Sequence, residues 1–372
     1  MRRPKREESA MSGDQLQHQR VFNFSAGPAA MPLEVLQASA QALVDYQGTG
    51  TGIAEVSHRG PEFDGVRREA EARCRQLLDI PDEYAVLFLQ GGATQQFELI
   101  PMNLLRGRAD YLISGQWAKK AYQASQGYGQ VRELATSAAD NFDHLPSDWQ
   151  PDPAADYLHL CSNNTIFGTR FVDFPEHPCL IADMSSEIMS RPLDVRRFGL
   201  IYAGAQKNLG PSGVVLLIIR KDLFDRIPAE VPPIFNYQIH AEQDSCLNTP
   251  PTFGIYVLLE TFRWLERQGG LTAMAEANAR KAELLYQAID DSDGFYVGTV
   301  REASQRSHMN VTFRLREDAR TADFLAEAKA RGLVALKGYR SVGGIRASIY
   351  NAMPLAGVKA LVGLMDDFRR QA

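Results

Sequence analysis

Three short stretches of this sequence place reactive residue types where an α/β chain presents its ligands. The run Gln90-Gly91-Gly92-Ala93-Thr94 follows an apolar strand, YAVLFLQ, and precedes a helical pattern. A glycine-rich turn feeding a helix start points unpaired N–H groups outward, where the helix dipole favours an anion such as phosphate. It matches neither G-x-G-x-x-G nor a P-loop, and a Gly-Gly pair also makes an ordinary turn. In LIADMSSE, Asp183 ends a second apolar run. A carboxylate at a strand's carboxyl end is either a charge partner for a ligand or a local cap supported by Ser185 and Ser186. In LIYAGAQKNLGPSG, Lys207 follows a third apolar run and sits among small residues. A desolvated lysine has a depressed pKa and attacks carbonyls as the free amine; a surface turn is the plainer reading.

Together the three features match the needs of pyridoxal phosphate. A lysine holds the aldehyde, an aspartate keeps the pyridine nitrogen protonated, and a cup of backbone donors anchors the phosphate.

The chain resembles the phosphoserine aminotransferases, class V members of the fold-type I pyridoxal-phosphate enzymes, from Phe22 nearly to its end. The matching runs are FNFSAGPAAMP, EVSHRGPEF, LQGGATQQF, IADMSSEIMSRPLDVRRFGLIYAGAQKNLGPSG, NTPPTFGIY, RSHMNVTF and KGYRSVGGIRASIYNA. The resemblance implies a large domain with a mostly parallel sheet plus a small C-terminal α+β domain. It implies that Lys207 carries pyridoxal 5'-phosphate and moves the proton between substrate Cα and cofactor C4′. Asp183 pairs with the pyridinium nitrogen, Trp117 stacks on the ring, and Thr165 lies against it. Ala93, Thr94 and Gln206 bind the cofactor phosphate, joined by Asn248 and Thr249 from a partner subunit, so a homodimer with shared sites is implied. Arg346 grips the substrate α-carboxylate, because a planar guanidinium suits a carboxylate. His58 and Arg59, from the other subunit, and Arg340 hold the distal phosphate of phosphoserine or the γ-carboxylate of glutamate. The implied reaction makes O-phospho-L-serine from 3-phosphohydroxypyruvate, turning glutamate into 2-oxoglutarate. The analogous step of pyridoxal phosphate biosynthesis is a second possible use.

Two positions depart from the family pattern. Tyr339 precedes Arg340 where histidine is usual; tyrosine is neutral at pH 7, so phosphate recognition is expected to be weaker or less pH-dependent. Phe167 stands where a polar residue is common, with no physical account from sequence. A serine–glyoxylate type enzyme would not need the His58-Arg59 and Arg340 anion set. Cysteine desulfurase would need a cysteine in a late glycine-rich loop. A nicotinamide-dependent dehydrogenase would need the absent G-x-G-x-x-G.

The elements that must position these residues alternate apolar runs with amphipathic stretches, as in an α/β fold. Strands are expected at YAVLFLQ, ADYLIS, ADYLHLC, CLIAD, LIYAG and GVVLLIIR. Long helices are expected at 253–268 and 270–291, with Gly269-Gly270 as the break. The expected division is a disordered tail at 1–20, a large cofactor domain at 21–268 and a small domain at 269–372. Residues 21–31 are expected to pack near the cleft with the small domain. Met11 is an alternative start.

The chain has 372 residues and 40 basic against 45 acidic side chains, a formal charge of −5. That charge offers no global field for nucleic acid, so small-molecule substrates are expected. Four scattered cysteines form no CxxC pair, which fits a cytoplasmic, reducing setting and no metal site. No apolar run approaches the ~20 residues of a membrane span, and the N-terminus has no secretory h-region.

Overall fold

Apolar strands separated by turn residues build the centre of the molecule, which the computed structural model describes over residues 20–340 and 342–371. The expected tail lies outside these residues except for Arg20. In chain order the first elements are β1 (Phe22–Asn23), α1 (Leu33–Val44), α2 (Pro61–Leu78), β2 (Tyr84–Gly91) and α3 (Ala93–Leu104). There follow β3 (Arg108–Ile113), α4 (Gln116–Ser125), β4 (Gln130–Thr136), β5 (Tyr157–Cys161), β6 (Leu180–Asp183), β7 (Leu200–Gly204) and β8 (Gly213–Arg220). The short α5 (Tyr237–Glu242) precedes the long α6 (Thr252–Arg267) and α7 (Gly270–Asp290). The last elements are β9 (Tyr296–Gly298), β10 (Asn310–Leu315), α8 (Thr321–Ala330), β11 (Leu333–Val334), β12 (Ile345–Ser348) and α9 (Leu355–Arg370).

The main sheet has seven strands in the order β2-β8-β7-β6-β5-β3-β4. From β7 to β4 the neighbours run parallel, whereas β8 is antiparallel to both β2 and β7. The sheet is thus mostly parallel, with one reversed strand. Alternate residues of β8 serve opposite faces. Val214, Leu216 and Ile218 join the core under α2 and α6, while Val215, Leu217 and Ile219 join the core under α3 and α4. A strand buried on both faces reads as a continuous apolar run. The edge strand β4 is mostly solvated and is pinned by Arg132, whose Nε and Nη2 donate to buried Asp110 at 2.9 and 2.6 Å.

A third core gathers Leu285, Phe313, Phe324, Phe368 and, from the N-terminal segment, Phe24. It backs the antiparallel sheet β12-β10-β9, and β1 pairs in parallel with β11 beside it. Helix α7 spans two cores: Leu271 and Met274 belong to the first, Ala282, Leu285 and Ile289 to the third. Gly269 and Gly270, at φ 92° and 76°, make the break that starts it. Phe167 acquires a physical role here. Its ring packs on Phe142 at 5.0 Å, and its carbonyl accepts from Thr312 Oγ1 at 2.8 Å and Thr299 Oγ1 at 3.0 Å. The residue therefore joins the main sheet's loop to β10 and the turn after β9.

Candidate active site

The parallel strands deliver their side chains at one edge, the carboxyl ends, where open α/β sheets bind ligands. Asp183 ends β6, in register with Cys161 of β5 and Tyr202 of β7. It is buried, and its Oδ1 accepts from the Ser185 N–H at 2.9 Å and Ser185 Oγ at 2.6 Å. The local bonding to Ser185 is present, although no helix begins there. Serine holds one oxygen, and among the described residues no hydrogen bond engages Oδ2. Ser185 Oγ in turn accepts from the Gly204 N–H at 3.0 Å, which locks the β6 end to the β7 end.

Lys207 lies in the turn after β7, and its Nζ donates to Thr165 Oγ1 at 2.8 Å. Burial pushes its ammonium below the ordinary lysine value; Asp183 and Cys161 oppose the shift, and Arg346 adds to it. Trp117 opens α4 after β3, with Lys207 Nζ 5.6 Å and Lys120 Nζ 4.7 Å from its ring centroid. Its indole N–H is buried without a partner. The loop carrying Thr165 approaches the β3 end so closely that a Cβ on Gly115 would lie 2.5 Å from Asn164 Nδ2. Only glycine admits that approach, and Asn164 Nδ2 uses it to donate to the Ser114 carbonyl at 2.6 Å.

Ala93 and Thr94 form the first turn of α3. No side chain caps that helix and no acidic residue stands in its first turn; the Gln95 N–H turns back to the Gly92 carbonyl at 3.0 Å, which leaves the Ala93 and Thr94 N–H groups available to an anion. Gln206 adjoins Lys207, and its carbonyl accepts from the Ala29 N–H at 2.9 Å. Arg346, on β12, points one Nη at the Thr165 carbonyl at 3.5 Å; among the described residues it meets no carboxylate. Burial lowers its pKa, with Tyr350 and Tyr339 opposing. An arginine held there without an ion pair is suited to a ligand's carboxylate.

The remaining sequence-derived residues are not gathered onto Lys207. Arg340 is exposed, while the neighbouring Tyr339 packs against the core that also carries Trp117. Arg59 is exposed, and His58 Nε2 is buried without a partner. Asn248 Nδ2 donates to Gln90 Oε1 at 2.8 Å, beside the glycine pair, and Thr249 is exposed. The 57–67 and 244–249 segments adjoin, since Arg67 of α2 meets Asp244 at 3.4 Å and Arg59 is a charged neighbour of Cys246.

Sequence reasoning missed Cys161 and the layer behind Asp183. Cys161 lies beside both Lys207 and Asp183, and burial raises its thiol pKa. His159, pushed down to about 3 by burial, bonds Tyr202 OH at 2.9 Å and stacks near Tyr111 at 4.9 Å. Their signal was present in YLHLC, a strand ending next to the one that carries Asp183.

The lysine amine, the indole, the Thr165 hydroxyl and the Asp183 carboxylate stand together, and Arg346 reaches the Thr165 carbonyl beside them; the uncapped helix start follows the carboxyl end of β2. The donor set fits pyridoxal phosphate and a carboxylate-bearing substrate.

The class V aminotransferase family profile matches residues 21–361. The phosphoserine aminotransferase of Aromatoleum aromaticum is 54% identical over 361 residues, covering 94% of this chain and 98% of its own. The phosphoserine aminotransferase structure from Bacillus circulans superposes with a TM-score of 0.93 at 48% identity, covering 95% of this chain and 99% of that one. The PLP-bound phosphoserine aminotransferase from Trichomonas vaginalis gives 0.89 at 39% identity, over 93% of this chain and 100% of its own. The chain belongs to the class V aminotransferases, among the phosphoserine aminotransferases.

Proposed function

We propose that this chain transfers the amino group of glutamate to 3-phosphohydroxypyruvate, yielding O-phospho-L-serine and 2-oxoglutarate, with pyridoxal phosphate held on Lys207. The observation that carries the reading is that Thr165 meets Lys207 through its hydroxyl and Arg346 through its carbonyl, with Asp183 of the β6 end beside the lysine. Bound pyridoxal phosphate supplies an electron sink for the electrons left when the substrate Cα–H bond breaks.

The protein's own groups do the rest. Asp183, oriented by Ser185, would pair with the ring nitrogen, Trp117 would lie against the ring, and Ala93, Thr94 and Gln206 would hold the cofactor phosphate. Lys207, shifted toward its neutral form by burial, would take the proton from substrate Cα and hold it as the ammonium, the donor from which it is returned in the second half of the exchange. Arg346 fixes the α-carboxylate and thereby orients Cα toward that amine. Arg340, with His58 and Arg59 from a partner subunit, selects a substrate with a second anionic group. Asn248 and Thr249 complete the cofactor phosphate site from the same partner.

The purified protein is expected to be yellow, and borohydride is expected to bleach it while fixing cofactor to Lys207. A colourless preparation that takes up no cofactor would overturn the reading. Glutamate formation from 2-oxoglutarate then compares donors: phosphoserine is expected to be far better than serine, and equal rates would remove the proposed substrate.

A further inference from the structure

The N-terminal segment is tied to the small sheet at one end and to the lysine turn at the other. Phe24 N–H donates to the Val334 carbonyl at 3.0 Å, next to the β1–β11 pairing, and Ala29 N–H donates to the Gln206 carbonyl. Between these ties Gly27, at φ 151°, passes over Lys207 so closely that a Cβ there would lie 3.3 Å from Lys207 Cγ. Residues 24–29 therefore form a strap across the stem of the lysine.

The middle of the strap is clamped by Tyr350. Its hydroxyl donates to the Ala26 carbonyl at 2.8 Å and accepts from Asn310 Nδ2 at 3.2 Å. Tyr350 is buried just beyond β12, the strand that carries Arg346, and its carbonyl is held by Lys281 Nζ at 2.7 Å. One phenol thus joins the covering of Lys207 to the strand that carries the carboxylate-binding arginine. We propose that Tyr350 is a positioning residue for the reaction: its hydroxyl holds the 24–29 strap over Lys207 in a fixed relation to Arg346. The proposal rests on the reading in which Lys207 carries pyridoxal phosphate.

The charged or titratable groups facing Lys207 are Asp183 from β6, Cys161 from β5 and Arg346 from β12. Burial is the largest influence on the lysine, so loosening the strap admits water and favours the cationic nitrogen. Releasing β12 lets Arg346 wander from the carboxylate position.

The test is Tyr350→Phe in the cofactor-loaded enzyme, which removes one oxygen and leaves the ring in place. The pH midpoint of the visible absorption of the lysine-bound cofactor is expected to move upward by about half a unit. KM for glutamate is expected to rise about fivefold to tenfold, with kcat changed less than about twofold. Tyr296→Phe is the control; it removes the bond to the Met365 carbonyl at 2.8 Å, inside the core behind the small sheet and away from the Tyr350 hydroxyl. It is expected to lower the melting temperature and leave the midpoint where it is. A midpoint unmoved by Tyr350→Phe, or moved equally by Tyr296→Phe, overturns the proposal. A wild-type enzyme lacking the band overturns the cofactor reading as well, and so separates the two failures.

Discussion

Arg346 owes its use to what surrounds it: a half-buried guanidinium with no carboxylate partner among the described residues. The α-carboxylate is common to phosphoserine and glutamate, so Arg346→Lys is expected to raise KM for both by a similar factor. Loss of the planar fork should cost ~2–3 kcal/mol, about 30- to 160-fold. Steady-state kinetics with each substrate check this; a change confined to phosphoserine would move Arg346 to the distal end. Tyr339 makes the converse case. It packs beside the cleft and brings no positive charge to a distal phosphate, so phosphoserine KM should depend less on pH than it would with histidine at that position. Tyr339→His should tighten phosphoserine below about pH 7, where the new ring protonates beside the dianion. Identical KM profiles for the two proteins would refute that role. The roles proposed for Lys207, Asp183 and Arg346 rest on sequence motifs: Asp183 ends β6, Lys207 stands in the turn after β7, and Arg346 lies within β12. The sequence already names Ser185 beside Asp183 as part of a local cap; that it takes one oxygen and leaves the other open emerges only in the fold.

Elements formed where periodicity was strong, and direction was the quantity that periodicity could not supply. GVVLLIIR is buried on both faces and looks alike read either way, so the antiparallel sense of β8 emerges only from its pairing with β2 and β7. QVRELAT lacks clear alternation because it is a solvated edge, and β4 was not legible for that reason. Helix α7 shows how a charged residue can serve as scaffold. Lys281 is buried, and its Nζ donates to the carbonyls of Ile349, Tyr350 and Met353 at 2.9, 2.7 and 3.1 Å. The three bonds close the turn between β12 and α9 against α7. Lys281→Met should strand three carbonyls and destabilise the protein by ~2–4 kcal/mol in urea unfolding. A loss below about 0.5 kcal/mol would mean that the carbonyls find other donors.

At the scale of the molecule, the main sheet's loops meet the small sheet through buried polar contacts, and these make stability depend on pH. Arg170 Nη2 donates to His308 Nε2 at 3.0 Å, a bond that requires this nitrogen unprotonated. Burial, followed by Arg170 and Arg191, pushes His308 down to about 4. Its folded pKa is below its unfolded value, so its contribution is full above about 6.5 and is lost as the pH falls toward about 4. At pH 5 the loss should approach ~2 kcal/mol. His308→Gln keeps an acceptor without titrating, so urea unfolding at pH 7 and pH 5 should show a smaller pH difference than in the parent; equal differences would clear His308. The larger question is whether one chain makes a whole site. His58, Arg59, Asn248 and Thr249 have no bonds to Lys207 or Arg346, and their segments lie together around Arg67 and Asp244. If they serve a partner's cleft, Lys207→Ala and Arg59→Ala damage different subunits' contributions to one site. Each homodimer should be nearly inactive toward phosphoserine. Mixed and re-equilibrated, half the dimers carry one intact site, because Lys207 of one chain meets Arg59 of the other, and about a quarter of wild-type sites return. Activity that stays at the average of the two parents would place Arg59 on its own chain's cleft.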